Sequence, residues 1–157
     1  MSETAMQIEG MARNLQRAIG EITLAYASVD SSVSEILTLH LFVEQQLDEV
    51  LAQRLTRPEQ IGRFSFGHKV SLLKALWNHE RIDHAAVALL AFNDIRNALA
   101  HNDIKASATA RVKLATKLSE IAEEGTVEPT DRLELMAIIL LSLLHLAIYD
   151  VHTAHTT

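Results

Sequence analysis

Cysteine is absent from this 157-residue sequence. That removes disulfides, thiol nucleophiles and cysteine-bearing zinc sites, and it fits a reducing compartment. Two prolines and five glycines are too few to punctuate the many short strands of an all-β or doubly wound fold, so helices are expected. One Trp, two Tyr and four Phe are too sparse for a base-stacking platform. The chain also lacks a Gly-rich phosphate loop, a Gly-x-Ser-x-Gly elbow, a His-Glu-x-x-His pair and a Walker sequence. The common nucleotide enzymes and zinc hydrolases are thereby excluded at the level of motif. No Glu is followed three residues later by His, the pairing that di-iron bundles use, and no metal or cofactor is expected.

Long apolar runs are missing too. The most apolar stretch, residues 135–149, falls short of the roughly twenty residues a membrane helix needs and is interrupted by Ser142 and His145. It reads as a buried core or dimer-interface helix bracketed by Glu134 and Asp150. Residues 1–10 carry acids and lack a basic start followed by an apolar run, so no signal peptide, no membrane association and a cytoplasmic location are expected.

What remains is an ordinary globular composition, 48% apolar and 22% charged, which predicts a single domain over residues 1–157. The net charge of −6 argues against a surface that coats nucleic acid broadly. Leu15, Ala18, Ile19, Ile22 and Tyr26 continue a stripe that starts at Ile8, with the three- and four-residue spacing of an amphipathic helix. Ser32 and Glu35 have capping-box spacing for a second helix over about residues 33–55. In that helix His40 and Glu44 fall where apolar residues belong. Residues 56–67, with Pro58, Gly62 and Gly67, read as the main loop, and Phe64 and Phe66 are expected to tuck onto the bundle. Further helices are expected over about residues 68–77, 83–101, 107–123 and 131–152, with Gly125 and Pro129 marking the last break. The fold class is therefore all-α: a compact up-and-down bundle of five to six helices, with the helix over 83–101 at its centre.

The segment over residues 93–102 carries the candidate chemistry. Its apolar stripe, Ala86, Leu89 and Leu90, continues through Asn93 and Arg96, and a charge on a buried line costs several kcal/mol unless paired or in a wet cleft. His101 ends the segment. Five residues turn an ideal helix by about 140°, so Arg96 and His101 meet only if the helix ends or kinks, or if a second subunit completes the site. The Arg-x4-His spacing occurs twice; the other copy, Arg63 and His68, straddles the loop and lacks a helical frame. His40 and Glu44, one turn apart, read as a buried hydrogen-bonded pair, with Glu44 a candidate support for Arg96.

Arg96-Asn97-Ala98-Leu99-Ala100-His101 resembles the Arg-polar-x3-His signature of HEPN domains (higher eukaryotes and prokaryotes nucleotide-binding), all-helical bundles of bacterial toxin and abortive-infection systems. The likeness extends over about residues 33–102, taking in the helix around residues 39–47 and the segment over 64–73. It implies a metal-independent endoribonuclease acting as a homodimer, two signatures facing one cleft, with RNA as substrate. An antitoxin or nucleotidyltransferase is the implied partner. On this reading His101 moves the proton of a ribose 2′-OH or of the leaving oxygen, Arg96 holds the scissile phosphate, and Asn97 orients them, leaving a 2′,3′-cyclic phosphate. Asn93 and Glu44 would support the site. Some HEPN toxins have a tyrosine two residues after the histidine, where a partner adds AMP; this chain has Asp103 there.

Charge is uneven along the sequence. Arg96, Lys105, Arg111, Lys113 and Lys117 face one acid, Asp103, between residues 96 and 117, whereas residues 118–157 carry seven acids and one Arg. Lys105 and Arg111 are therefore candidate RNA contacts at the rim of the site, against the plainer reading of Arg111, Lys113 and Lys117 as a solvated helix face. The competing function is a non-catalytic HEPN-like bundle, a dimeric regulator or protein-interaction module in which Arg96 is a structural ion.

Overall fold

The computed structural model of the chain describes residues 3–27, 32–121 and 132–154. Among them are six α-helices and no strand: α1 (Glu3–Ala27), α2 (Ser32–Ala52), α3 (Phe66–Leu76), α4 (Glu80–Ala100), α5 (Ile104–Ile121) and α6 (Leu133–Ala154), with a 3₁₀ helix (Pro58–Arg63) between α2 and α3. The all-α bundle read from periodicity is what the chain forms. The expected break at Gly125 and Pro129 lies outside the described residues, as does the Ser32 side chain of the expected capping box.

α4 packs against α2, α3, α5 and α6, and so occupies the middle of the bundle. Its composition explains how. Ala85, Ala86, Ala88, Ala91 and Ala98 are buried alongside Ile82, Leu89, Phe92 and Ile95, so the helix is apolar on nearly every side. Short alanine side chains let neighbouring helices approach it closely, and Phe92 fills the space they leave. The other helices bury one stripe each. α5 contributes Ala110, Leu114 and Leu118; α6 contributes Met136, Leu140, Leu144 and Ile148; α2 contributes Ile36, Leu39, Val43, Leu47 and Leu51. No described helix is long and apolar enough to cross a membrane. α6, apolar for most of its length, buries His145 against Gln46 of α2, with Nε2 3.2 Å from Oε1.

The segment expected to be a plain loop is partly helical. Pro58 opens the 3₁₀ helix, where its fixed φ is already suitable and its missing N–H costs nothing, and Ile61 is buried beneath it. Of the two aromatic residues expected to tuck in, Phe66 does so and Phe64 is 42% exposed. α3 begins two residues earlier than the sequence suggested because Ser65 caps it, its Oγ accepting from the backbone N–H of His68.

Candidate functional site

The end of α4 is built by three residues in succession. His101 caps α4 directly after its last residue, Ala100; Asn102 then turns into the left-handed region, with φ 56°. Its N–H donates to Leu99 O at 3.0 Å and that of Asp103 donates to Ala98 O at 2.8 Å, the paired bonds of a Schellman ending. Asparagine tolerates this conformation better than a branched or bulky residue would. Asp103 also starts the next helix: its Oδ1 accepts from Ala106 N at 2.9 Å, and its backbone oxygen from Ser107 N at 3.0 Å. α5 therefore begins at Ile104, three residues before the expected position. The Asp103 carboxylate is thus occupied in capping a helix.

His101, Asn102, Asp103 and Lys105 are all exposed at this turn. Arg96 and Asn97, half-buried one turn and more back along α4, form a pair in which Arg96 Nη1 donates to Asn97 Oδ1 at 2.9 Å. Among the described residues Asn97 is the hydrogen-bond partner of Arg96, and no carboxylate lies within ion-pair distance of its guanidinium. Arg96 and His101 do not contact one another within the chain, as the 140° separation leads one to expect.

A polar seam runs from Arg96 into the bundle between α2, α3 and α4. Asn93, one turn before Arg96 and Asn97, meets His40 of α2, with Oδ1 3.0 Å from Nε2. The imidazole is buried between Phe66, at 4.6 Å between ring centroids, and Phe92, parallel at 6.1 Å. Glu44 follows on α2, its Oε2 3.9 Å from His40 Nδ1. The expected support of Arg96 by Glu44 is not what forms. The Glu44 carboxylate goes to Lys69 of α3 at 2.7 Å, and Lys69 also reaches Asp48 at 2.8 Å. Burial pushes the His40 pKa below the ordinary imidazole value, with the charges of Arg96 and Lys69 adding to the effect against the opposing pull of Asn93 and Glu44. Burial also pushes Lys69 down, but its bonds and charge contacts with Asp48 and Glu44 outweigh this and leave its pKa raised.

The two candidate RNA contacts part company. Lys105 stands exposed beside the α4–α5 turn, four residues from His101. Arg111 lies nearly two helical turns further on, half-buried at an open groove of about 420 Å³ between α5 and Met136 of α6, where its charge acts on Glu35 of α2. Burial raises the pKa of Glu35, Arg111 opposes this, and Glu134 adds to it. Lys113 stands 3.8 Å from Asp94, and Lys117 pairs with Glu120. Much of the basic run read along the sequence is thus answered by acids in space.

The structure therefore groups Asn93, Arg96 and Asn97 with His40, Glu44 and Lys69, and separately places His101 with Lys105 at the turn. His40 and Glu44 were visible as polar interruptions of an apolar stripe. Lys69 was not, although its three-residue spacing from Phe66 and four-residue spacing to Leu73 put it on the buried face of α3. Among the described residues no three His, Asp or Glu side chains gather as a metal site would require. No protein family, no curated protein and no solved structure matches the chain.

Proposed function

We propose that the chain is a HEPN-like endoribonuclease that cleaves RNA without a metal ion, acts as a cytoplasmic homodimer and serves in a toxin-type role. The observation that carries this reading is Arg96: a half-buried guanidinium whose neutral partner, Asn97, orients it without spending its charge. Neighbouring Glu44 and Asp48 are committed to Lys69 and leave it available. An orphan guanidinium in a half-buried setting suits a phosphate, which it can bind through two parallel N–H bonds.

His101 is exposed at the helix end and supplies an imidazole for proton transfer. Because it and Arg96 lie on different sides of α4, a single phosphate is served by Arg96 of one copy and His101 of a second. Proton removal from the 2′-OH drives attack on phosphorus, the 5′-oxygen leaves with a proton, and a 2′,3′-cyclic phosphate remains. Lys105 lies beside His101 and holds the neighbouring backbone. With Asp103 engaged as a helix cap, control by a protein antitoxin fits this chain better than adenylylation at that position.

Expression of the wild type, Arg96→Ala and His101→Ala in cells, scored for growth arrest, tests the reading, with arrest expected from the wild type alone. In vitro, cleavage is expected to persist in EDTA and to fail on an oligonucleotide with a 2′-deoxy sugar at the cut site. Cleavage of both sugars, or loss of activity with chelator, overturns the mechanism. The second reading, a non-catalytic interaction module, is favoured by the acid partners of Lys113 and Lys117, which answer two of the five cations between residues 96 and 117. Equal growth of all three strains selects it.

A further inference from the structure

His40 is tied to the candidate site although it lies outside the signature. Its Nε2 is 3.0 Å from Asn93 Oδ1, an oxygen that only accepts, so the ring proton sits on Nε2 and the neutral imidazole turns a bare Nδ1 toward Glu44. Two acceptors do not bond. The 3.9 Å between Nδ1 and Glu44 Oε2 is the spacing such a pair keeps, while Glu44 gives its other oxygen to Lys69 at 2.7 Å.

The charge count of the seam agrees. From α3 comes Lys69, from α4 comes Arg96, and from α2 come Glu44 and Asp48: two cations and two anions, balanced while His40 is neutral. A proton on Nδ1 would add a third cation beside Phe66 and Phe92. It would also draw Glu44 into a new hydrogen bond in competition with Lys69.

We propose that His40 is a positioning residue for the Arg96–Asn97 pair: its Nε2–H holds Asn93 and with it the turn of α4 that presents Arg96, and a proton on Nδ1 keeps that bond but adds a cation facing Arg96 and draws Glu44 away from Lys69, so that the seam around Arg96 rearranges. The role of the pair in phosphate binding rests on the ribonuclease reading; the coupling between His40 and Arg96 does not. Burial already holds His40 below the ordinary imidazole range, so the balanced seam persists at neutral pH and is disturbed on acidification.

Nuclear magnetic resonance on the full chain tests the coupling without any activity assay. The His40 ring signals, the Asn93 side-chain amide and the Arg96 Nε–H are followed from pH 8 to pH 5. All three are expected to shift with one midpoint, below the ordinary imidazole value. In Glu44→Gln, which removes the anion that favours His40 protonation, the shared midpoint moves to lower pH. In His40→Gln, whose amide can still donate to Asn93 but does not titrate in this range, the Arg96 signal loses its pH dependence while its neutral-pH position is kept. An Arg96 signal that stays flat while His40 titrates, or that titrates unchanged in His40→Gln, overturns the proposal. If His40→Gln fails to fold, the Glu44→Gln midpoint alone decides, and an unmoved midpoint overturns it.

RNA cleavage separates the two readings. Coupling without cleavage refutes the ribonuclease and leaves the positioning role standing; cleavage with no acid limb set by the His40 midpoint refutes the positioning role and leaves the ribonuclease.

Discussion

The ammonium of Lys69 lies 2.7 Å from the carboxylate of Glu44, at the end of a side chain only 3% exposed. Its methylene stem occupies a position on α3 in line with Phe66, Val70 and Leu73, so the residue packs as a hydrophobe and pairs as an ion. Replacement by Met keeps the packing and abandons two carboxylates. Lys69→Met is expected to cost about 2–3 kcal/mol in urea unfolding, less than for a fully enclosed pair because Glu44 and Asp48 reach water. Adding Glu44→Gln and Asp48→Asn should recover much of that loss.

Stability is expected to fall on mild acidification. His40 and His145 are both pushed by burial below the ordinary value of 6.5, so each binds a proton less readily folded than unfolded. For such groups the unfolded state takes up the proton first, and the stability present above 6.5 is lost as the pH drops toward the folded values. His145 Nδ1, buried and without a hydrogen-bond partner among the described residues, gives a reason: a proton there would have nothing to donate to. Urea midpoints at pH 7.5, 6.5 and 5.5 check this, and the double variant His40→Gln, His145→Gln should show a flatter profile.

The α4–α5 turn has two separable supports. Asn102→Ala forces a Cβ-bearing residue without asparagine's tolerance into φ 56° and should cost about 1 kcal/mol, whereas Asn102→Gly should be neutral or stabilising. Asp103→Ala removes the cap on Ala106 and should cost about 1 kcal/mol. Thermal unfolding checks all three: both alanine variants should melt earlier than the wild type, and Asn102→Gly should not.

Phe92 is fully buried in α4 with its ring stacked 6.1 Å from that of His40, so truncation there opens a cavity in the core. Phe92→Ala should destabilise the chain by about 3–5 kcal/mol. Denaturant unfolding reads it directly.

On the ribonuclease reading, Lys105 and Arg111 should behave differently. Lys105→Ala is expected to weaken RNA binding and to lower the slope of log affinity against log salt by about 0.7, the value for one phosphate contact on a single strand. Arg111→Ala should leave that slope unchanged and instead raise the pKa of Glu35, whose charge it helps to hold. Binding titrations at several salt concentrations test the pair together.

The bundle was legible because burial on a helix repeats every three to four residues, and Leu15, Ala18 and Ile22 or Leu114 and Leu118 display that period without help from neighbours. The start of α5 was not, since Asp103 had to be seen as a cap reaching Ala106. Polar interruption exposed His40 and Glu44, but their partners Asn93 and Lys69 are set by how α2, α3 and α4 cross. Arg111 shows the same limit: a tally along the chain finds acids nearby in sequence, whereas Glu35 and Glu134 come from other helices.

The turn between α4 and α5 leaves no slack. Asp103 closes one helix through its backbone N–H and opens the next through its side chain and carbonyl, so the same residue is fastened in both directions. The two helices are joined as a bracket rather than by a tether, and a torque applied to either is passed to the other. The backbones that carry His101 and Lys105, on opposite arms of that bracket, are held by the same bonds. On the ribonuclease reading, an RNA strand meets there two side chains whose attachment points are set before it arrives.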